Sequence, residues 1–572
     1  MQHNKQQPMA TLSRRVLLVL WWILLLLSIA VLIGSLLCFG ENAFAQDAPT
    51  RHLAKITGVV RDASTRESVA GANVIVLGTN RGAATDLEGR FVILHIQPGT
   101  WSLRASAVGY TPQTQHEINV SPARPARLEF LLHPSAVESE AVTVTAQQFQ
   151  VSTPEMPTSV RNLRYEEVRR APGAVEDVQR AVRALPGVVS DNDQDNAIIV
   201  RGGDASENLT VIDGLEVGNT NHLTIGDEVQ GGGGPINALN TEFLRDVTFA
   251  SGGFSVRYGD RLSSVLDLEL REGNREQFGG ELSLSMAGAG AYAEGPIQEG
   301  RGSFLASIRK SYLDLIPEES AGVSSWPAYW NGQFKAVYDI TPRHILTLNG
   351  LYLEDSARND PPDPDEEDEN ADLSVGIDAL DLNTTRYLVG ARLRSLWGPG
   401  YTDLIVGRSF AFNRWNYYSQ IQTGEDEHTL RKDVANRRTL AHDQFHLHWV
   451  GRGFGEDRLS AGVTFKPITY HREAFIRGDS ILYNDDFLGP DPGNEPDVFR
   501  YDDQVEDVRE IALQYATYVQ YTWRPLGSFD LTAGLRYDDL DFSERNALGP
   551  RASLSRRFLP HWSFNAAWGL YY

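Results

Sequence analysis

From about residue 275 to the end of the sequence, apolar and polar side chains alternate. In residues 530–537, Leu531, Ala533, Leu535 and Tyr537 fall on one side, and Asp530, Thr532, Gly534 and Arg536 on the other. Tyr515, Val519, Tyr521 and Trp523 likewise oppose Gln514, Gln520 and Thr522. Phe334, Ala336, Tyr338 and Ile340 oppose Gln333, Lys335 and Asp339. A period of two predicts strands. One apolar and one polar face fits a barrel with lipid outside and water inside, or a soluble sheet lying on a core. Connection lengths favour the barrel. Thr341-Pro342-Arg343 and Pro525-Leu526-Gly527 are tight, whereas residues 354–383 and 470–510 form long excursions. Trp397, Trp415, Trp449, Trp523 and Trp568 supply an aromatic girdle. The pattern holds about a dozen strands, against roughly 22 in barrels that carry a plug. It runs to residues 568–572 in the middle of a strand. The expectation over 275–572 is therefore part of a larger antiparallel transmembrane β-barrel, with a complete smaller barrel as the alternative.

Two smaller regions come first. Residues 53–134 hold short alternating runs at 56–60, 73–77, 90–94, 101–107 and 128–132, punctuated by the turns Asp86-Leu87-Glu88-Gly89 and Gln97-Pro98-Gly99. This predicts a small β-sandwich. Residues 161–272 combine helical spacing over 176–185, stopped by Pro186-Gly187, with short strands at 197–201, 209–213 and 243–250. They predict an α+β domain with long glycine-rich loops. Between the two, residues 135–160 read as a linker with a β-prone island at 140–146. Such an island suits strand addition to a partner's sheet edge; its alternative is a last strand of the sandwich. The fold class is mainly β: sandwich, α+β domain, barrel.

The first 45 residues add a compartment. Arg14 and Arg15 precede an apolar run over 16–37, and Ala43-Phe44-Ala45 supplies a cleavage site. That order reads as a signal peptide, with an uncleaved membrane anchor as the alternative. Cys38, the one cysteine, falls inside it, which leaves the mature chain without a disulfide framework or a thiolate. The net charge of −23 argues against a nucleic-acid partner. No H-E-x-x-H or phosphate-binding G-x-x-x-x-G-K-[ST] occurs, and no enzyme activity or cofactor is expected. Gly288-Ala289-Gly290-Ala291-Tyr292-Ala293 mimics a dinucleotide fingerprint, but no helix follows. The acidic stretch 360–369 reads as a solvated loop tip. His442, His446 and His448 share one strand face and could hold a metal; the plainer reading is polar lining of a lumen.

Ordered motifs then carry a resemblance. Gly58-Val59-Val60-Arg61-Asp62, Gly71-Ala72-Asn73-Val74, Gly89-Arg90-Phe91 and Gly109-Tyr110 resemble a carboxypeptidase-regulatory-like domain, an accessory sandwich. Val182-Arg183-Ala184-Leu185-Pro186-Gly187-Val188 is followed by Ile199-Val200-Arg201-Gly202-Gly203 and by Val211-Ile212-Asp213-Gly214. Ser251-Gly252-Gly253-Phe254-Ser255-Val256-Arg257-Tyr258-Gly259-Asp260 completes a series similar to the plug domain of TonB-dependent receptors. The resemblance implies an outer-membrane receptor that imports a small extracellular ligand; a receptor that binds or signals without transport is the alternative. It implies the TonB energy-transducing complex and outer-membrane lipid as partners, with a surface lipoprotein as a further candidate, and a periplasmic N-terminal domain and linker. It places a TonB-box-like segment at Val142, Thr143, Val144, Thr145 and Ala146, and gives Arg201 the role of pairing with barrel carboxylates. The family's second plug arginine has no counterpart in residues 247–252.

Overall fold

The computed structural model describes residues 54–134 and 156–572, apart from breaks at 98, 121–125, 172, 175–176, 191–195, 225–232, 286–287, 312–327, 360–378, 399, 423–427, 454–456, 479, 484–496, 501, 527–528, 544 and 560–561. The apolar run at 16–37, the cleavage site, the acidic stretch 360–369 and the segment Val142–Ala146 all lie outside the described residues.

Eight strands build the N-terminal domain: β1 (Ala54–Asp62), β2 (Asn73–Val76), β3 (Gly82–Ala84), β4 (Arg90–Ile96), β5 (Gly99–Ser106), β6 (Tyr110–Thr111), β7 (Gln113–Val120) and β8 (Ala126–Pro134). They form two sheets, ordered β4-β1-β8-β6 and β3-β2-β5-β7. Alternation puts Ile56, Val60, Val74, Phe91, Ile93, Leu103, Phe130 and Leu132 between them, in a core drawn from this domain alone.

The next domain contains β9 (Val160–Arg164), α1 (Tyr165–Arg170), α2 (Val178–Arg183), β10 (Val188–Val189), β11 (Ile199–Val200), β12 (Asn208–Ile212), β13 (Leu215–Val217), β14 (Asn221–His222), β15 (Ile236–Asn237), β16 (Leu244–Ala250) and β17 (Ser264–Leu270). Its main sheet is ordered β13-β12-β17-β16-β9. Asp177 caps α2 by accepting from the Gln179 and Arg180 amides, at 2.8 and 3.3 Å. Linker residues lead directly into β9, which is an edge strand of the sheet.

The wall around this plug is one antiparallel sheet of 13 strands. It comprises β18 (Gly279–Ser285), β19 (Gly288–Ile297), β20 (Gly302–Lys310), β21 (Ala328–Thr341), β22 (His344–Asn359), β23 (Ala379–Trp397), β24 (Gly400–Gln422), β25 (His428–Arg452) and β26 (Arg458–Ile476). A separate hairpin, β27 (Ser480–Tyr483) and β28 (Asp497–Arg500), follows. The wall resumes with β29 (Gln504–Leu526), β30 (Phe529–Leu540), β31 (Arg545–Leu559) and β32 (Trp562–Gly569). Its burial is inverted relative to a soluble sheet. Gln333, Lys335, Asn349, Arg386, Gln444, Lys466 and Arg536 are buried toward the plug. Phe334, Leu348, Val389, Leu404, Leu447, Val463 and Leu535 are exposed on the outer face. An exposed apolar belt around a polar interior is the arrangement that lipid demands. Trp397, Trp449 and Trp523 join that outer face near the tight turns. Trp415 does not: it pairs across the ladder with buried Leu382, so it faces inward.

Candidate functional site

The chemistry of this chain lies where the plug meets the wall. One hydrophobic core crosses the boundary: Val182, Val200, Phe243, Val247, Leu266 and Leu268 of the plug pack with Leu305, Leu351, Leu353, Leu388 and Ile405 of the wall. At its centre is the turn from β12 to β13. Asp213 and Gly214 both take positive φ, 49° and 92°, and present Leu215 outward from the plug. Leu215 is 1% exposed. It enters a hole made by Gly390 and Gly407, which face each other across β23 and β24. A Cβ on Gly390 would lie 2.4 Å from Leu215 Cδ1, and one on Gly407 would lie 2.5 Å from its Cδ2. Any side chain at either wall position therefore displaces the knob.

Two lysines of the wall flank the knob. Lys335 Nζ donates to Asp213 Oδ2 at 2.9 Å and to the Leu270 carbonyl at 2.6 Å. Lys466 Nζ donates to Glu216 Oε2 at 2.7 Å. Gln444 then copies a strand edge: its Oε1 accepts from the Glu216 amide at 2.8 Å, and its Nε2 donates to the Glu216 carbonyl at 2.6 Å. Burial alone would push the Glu216 carboxyl up, but the Lys466 ammonium outweighs it and holds the group at about 2. Asp213 is held below its ordinary value by Lys335 against the same opposing burial.

A second clasp grips the plug segment 254–258. Arg551 donates to the Ser255 and Tyr258 carbonyls at 2.6 and 2.7 Å, and its guanidinium lies over the rings of Phe254 and Tyr571, at 5.2 and 4.3 Å. Arg536 donates to the Arg257 carbonyl at 2.9 Å while Asp538 holds its Nε at 2.8 Å. Toward the long connections, buried His222 stacks on Tyr329 at 4.3 Å and bonds Asp355 and Asn331. Beside the shared apolar core, these hydrogen bonds and ion pairs fix the register of the plug in the lumen.

The expected site residues fall differently. Arg201 sits in a left-handed turn with φ 54°, is exposed, and donates to Ser159 Oγ at 2.7 Å. Among the described residues it pairs with no barrel carboxylate. The reason is position: Arg201 lies beside the linker's point of attachment. The lock is built elsewhere and from both signs: Asp213 and Glu216 of the plug meet Lys335 and Lys466 of the wall, and Arg271 of the plug meets Glu294 of β19 at 2.7 Å. His442, His446 and His448 line the lumen face of β25. With its Nε2 protonated, His446 donates to Gln444 Oε1 at 3.3 Å and accepts from Thr464 at Nδ1, at 3.0 Å, which orients the glutamine. His448 bonds the Tyr518 hydroxyl. No group of three or more such ligands is assembled among the described residues. Asp213, Leu215, Glu216, Lys335, Lys466, Arg536 and Arg551 escaped sequence reasoning. Lys335 and Arg536 carried a hint as polar strand positions, and Asp213 as part of the plug motif, but none pointed to its partner.

Residues 56–144 match the CarboxypepD_reg-like domain, 152–264 the TonB-dependent receptor plug domain, and 320–572 the TonB-dependent receptor-like β-barrel. The TonB-dependent transporter Oar of Myxococcus xanthus is 27% identical over 263 residues, 44% of this chain and 23% of that protein. The TonB-dependent receptor SusC of Bacteroides thetaiotaomicron is 26% identical over 259 residues, 43% of this chain and 23% of that protein. These alignments thus take in under a quarter of either relative's length. The crystal structure of the siderophore receptor PirA from Acinetobacter baumannii aligns with a TM-score of 0.49 at 14% identity, over 72% of this chain and 60% of that one.

Proposed function

The chain belongs to the TonB-dependent receptors, and from that premise we propose that it imports an extracellular ligand through the outer membrane into the periplasm. The supporting observation is the seat of the plug: a sheet of its own within the lumen, tied to the wall by hydrogen bonds and ion pairs around a shared apolar core. In this reading the tight turns and the N-terminal sandwich face the periplasm, and the long connections face outward to receive the ligand. Lipid surrounds the exposed apolar belt. The TonB complex engages Val142, Thr143, Val144, Thr145 and Ala146 by strand addition. Its pull reaches the plug at β9, which begins at Val160. Two curated relatives carry the names transporter and receptor, which fits import without naming the cargo.

The test uses the purified periplasmic domain of TonB as the probe. The full chain should bind it, and deletion of residues 140–146 should abolish binding while heat-modifiable mobility of the barrel on gels is retained. Equal binding by both forms would leave a receptor that senses without TonB-driven transport.

A further inference from the structure

The sandwich makes contacts of its own beneath the plug. The outer face of its β1–β8 sheet carries Arg61, Arg127 and Glu129. Arg245 of β16 reaches Glu129 at 2.9 Å, and Arg61 reaches the same carboxylate at 3.5 Å. Arg127 donates to the Gly273 carbonyl at 2.8 Å and lies 3.9 Å from Glu272. Lys55 pairs with Glu276. Two further pairs reach the wall at its tight-turn end: Arg90 to Asp339 of β21 at 3.8 Å, and Asp62 to Arg452 of β25 at 3.4 Å. Strands β21 and β25 are four apart in the sheet, so the sandwich bridges the mouth rather than resting on one rim.

The composition of this contact differs from the plug seat. No hydrophobic cluster crosses it among the described residues: the sandwich core is closed on itself, while the plug core runs into the wall. Apart from the buried Asp62, its charged side chains remain part-exposed, 38% and 34% for Arg127 and Glu272. Part-exposed ion pairs without apolar burial are weak and screened by salt. The load path matters too. β8 carries Arg127 and Glu129 and ends at Pro134, so seven residues, 135–141, separate it from Val142. A pull on the linker therefore arrives on the strand that makes the dock.

We propose that the N-terminal sandwich is a releasable cap over the tight-turn mouth, held by ion pairs and detached before the plug moves. While docked it stands across the way out of the lumen; once detached it clears that path. The order of events rests on the proposed pull at residues 142–146, but the dock itself does not. Single-molecule force spectroscopy on the full chain in a bilayer tests both without TonB. The chain is held by a thiol handle at Ala146→Cys in a Cys38→Ser background. A low-force rupture should precede plug extension. It should be lost in the variant Lys55→Ala/Arg127→Ala/Glu129→Ala, and fall several-fold at about 1 M NaCl, where the Debye length is about 3 Å. Plug extension should keep its force in every case, which shows that the variant is folded. The milder Glu129→Gln should lower the first rupture without removing it. A first event indifferent to salt and to the variants, or plug extension that comes first, would overturn the proposal. Failure of TonB's periplasmic domain to bind would instead strike the import reading and leave the dock standing.

Discussion

The plug is held by two contacts built from the same charged groups, and burial makes them different. Against the wall, Lys335 and Asp213 are 4% and 2% exposed, and Leu215 beside them fills a hole lined by two glycines. Against the sandwich, Arg245 and Glu129 are 35% and 23% exposed, with no apolar core behind them. Removing one partner of a buried pair costs about 3–5 kcal/mol, because the other charge is stranded. An exposed pair contributes about 0–1 kcal/mol. Counting ion pairs would not separate the two contacts. Dielectric and packing do, leaving one contact that locates and one that lets go.

The sharpest way to break the contrast is at the knob. Gly407→Val should place methyl groups where Leu215 Cδ2 now sits and expel the β12–β13 turn. The expected result is a barrel that still shows heat-modifiable mobility but whose plug is cut by added protease. Leu215→Ala tests the same packing from the other side, at about 2–5 kcal/mol of lost stability. Protection of the plug in Gly407→Val would show that the knob is not what seats it. Next in size is Lys335→Met, which leaves Asp213 buried without its cation and should lower the urea midpoint by the equivalent of about 3–5 kcal/mol. Asp213→Leu added to it should recover part of the loss. A neutral Lys335→Met would mean that packing alone holds the turn.

Acid sharpens the comparison by failing to separate the two contacts. Glu216 in the plug seat and Glu272 in the sandwich dock are both held at about 2, against an ordinary 4.5: burial is outweighed by Lys466 at Glu216, and at Glu272 first by Arg275 of its own segment and then by Arg127 of the sandwich. A depressed carboxylate contributes stability above its unfolded value and loses it as the pH falls through the folded one. Both contacts should therefore be indifferent to pH from about 8 to 5 and weaken together between 4.5 and 2, as read by protease protection of plug and linker. Loss of either near neutrality would contradict the assignment. Salt, by contrast, should divide them.

Much of this architecture was legible along the chain, and the reason is periodicity. The strands around Leu531–Tyr537 and Phe334–Ile340 announce themselves because a half-lipid wall repeats its rule every two residues. Five strands of the sandwich were read; β3 and β6, of three and two residues, were too short to register, and β7 carries apolar side chains only at Ile118 and Val120. The seat of the plug was not legible. Lys335 and Asp213 lie 122 residues apart, and Lys466 and Glu216 lie 250 apart. Nothing local in a polar strand position says which loop it will meet. Gly390 and Gly407 look like ordinary strand glycines until the register places them opposite each other. Arg201 drew attention because its motif is conspicuous, and the structure puts the lock elsewhere.

That displacement sets the smallest expected effect. Arg201 is solvent-exposed and offers one hydrogen bond, to Ser159, which is also held through its carbonyl by the Ser251 amide at 3.0 Å. An exposed side-chain bond with a second tether beside it contributes about 0.5–1.5 kcal/mol at most. Arg201→Ala should therefore leave the urea midpoint of the plug seat within that margin. Ser159 sits just before β9, so the change should appear instead as faster proteolysis of the linker's plug end. A loss as large as that of Lys335→Met would mean that Arg201 meets a buried carboxylate after all. The plug would then carry a second arginine lock beside Arg271–Glu294, and its seat would be stronger than the contrast with the sandwich allows.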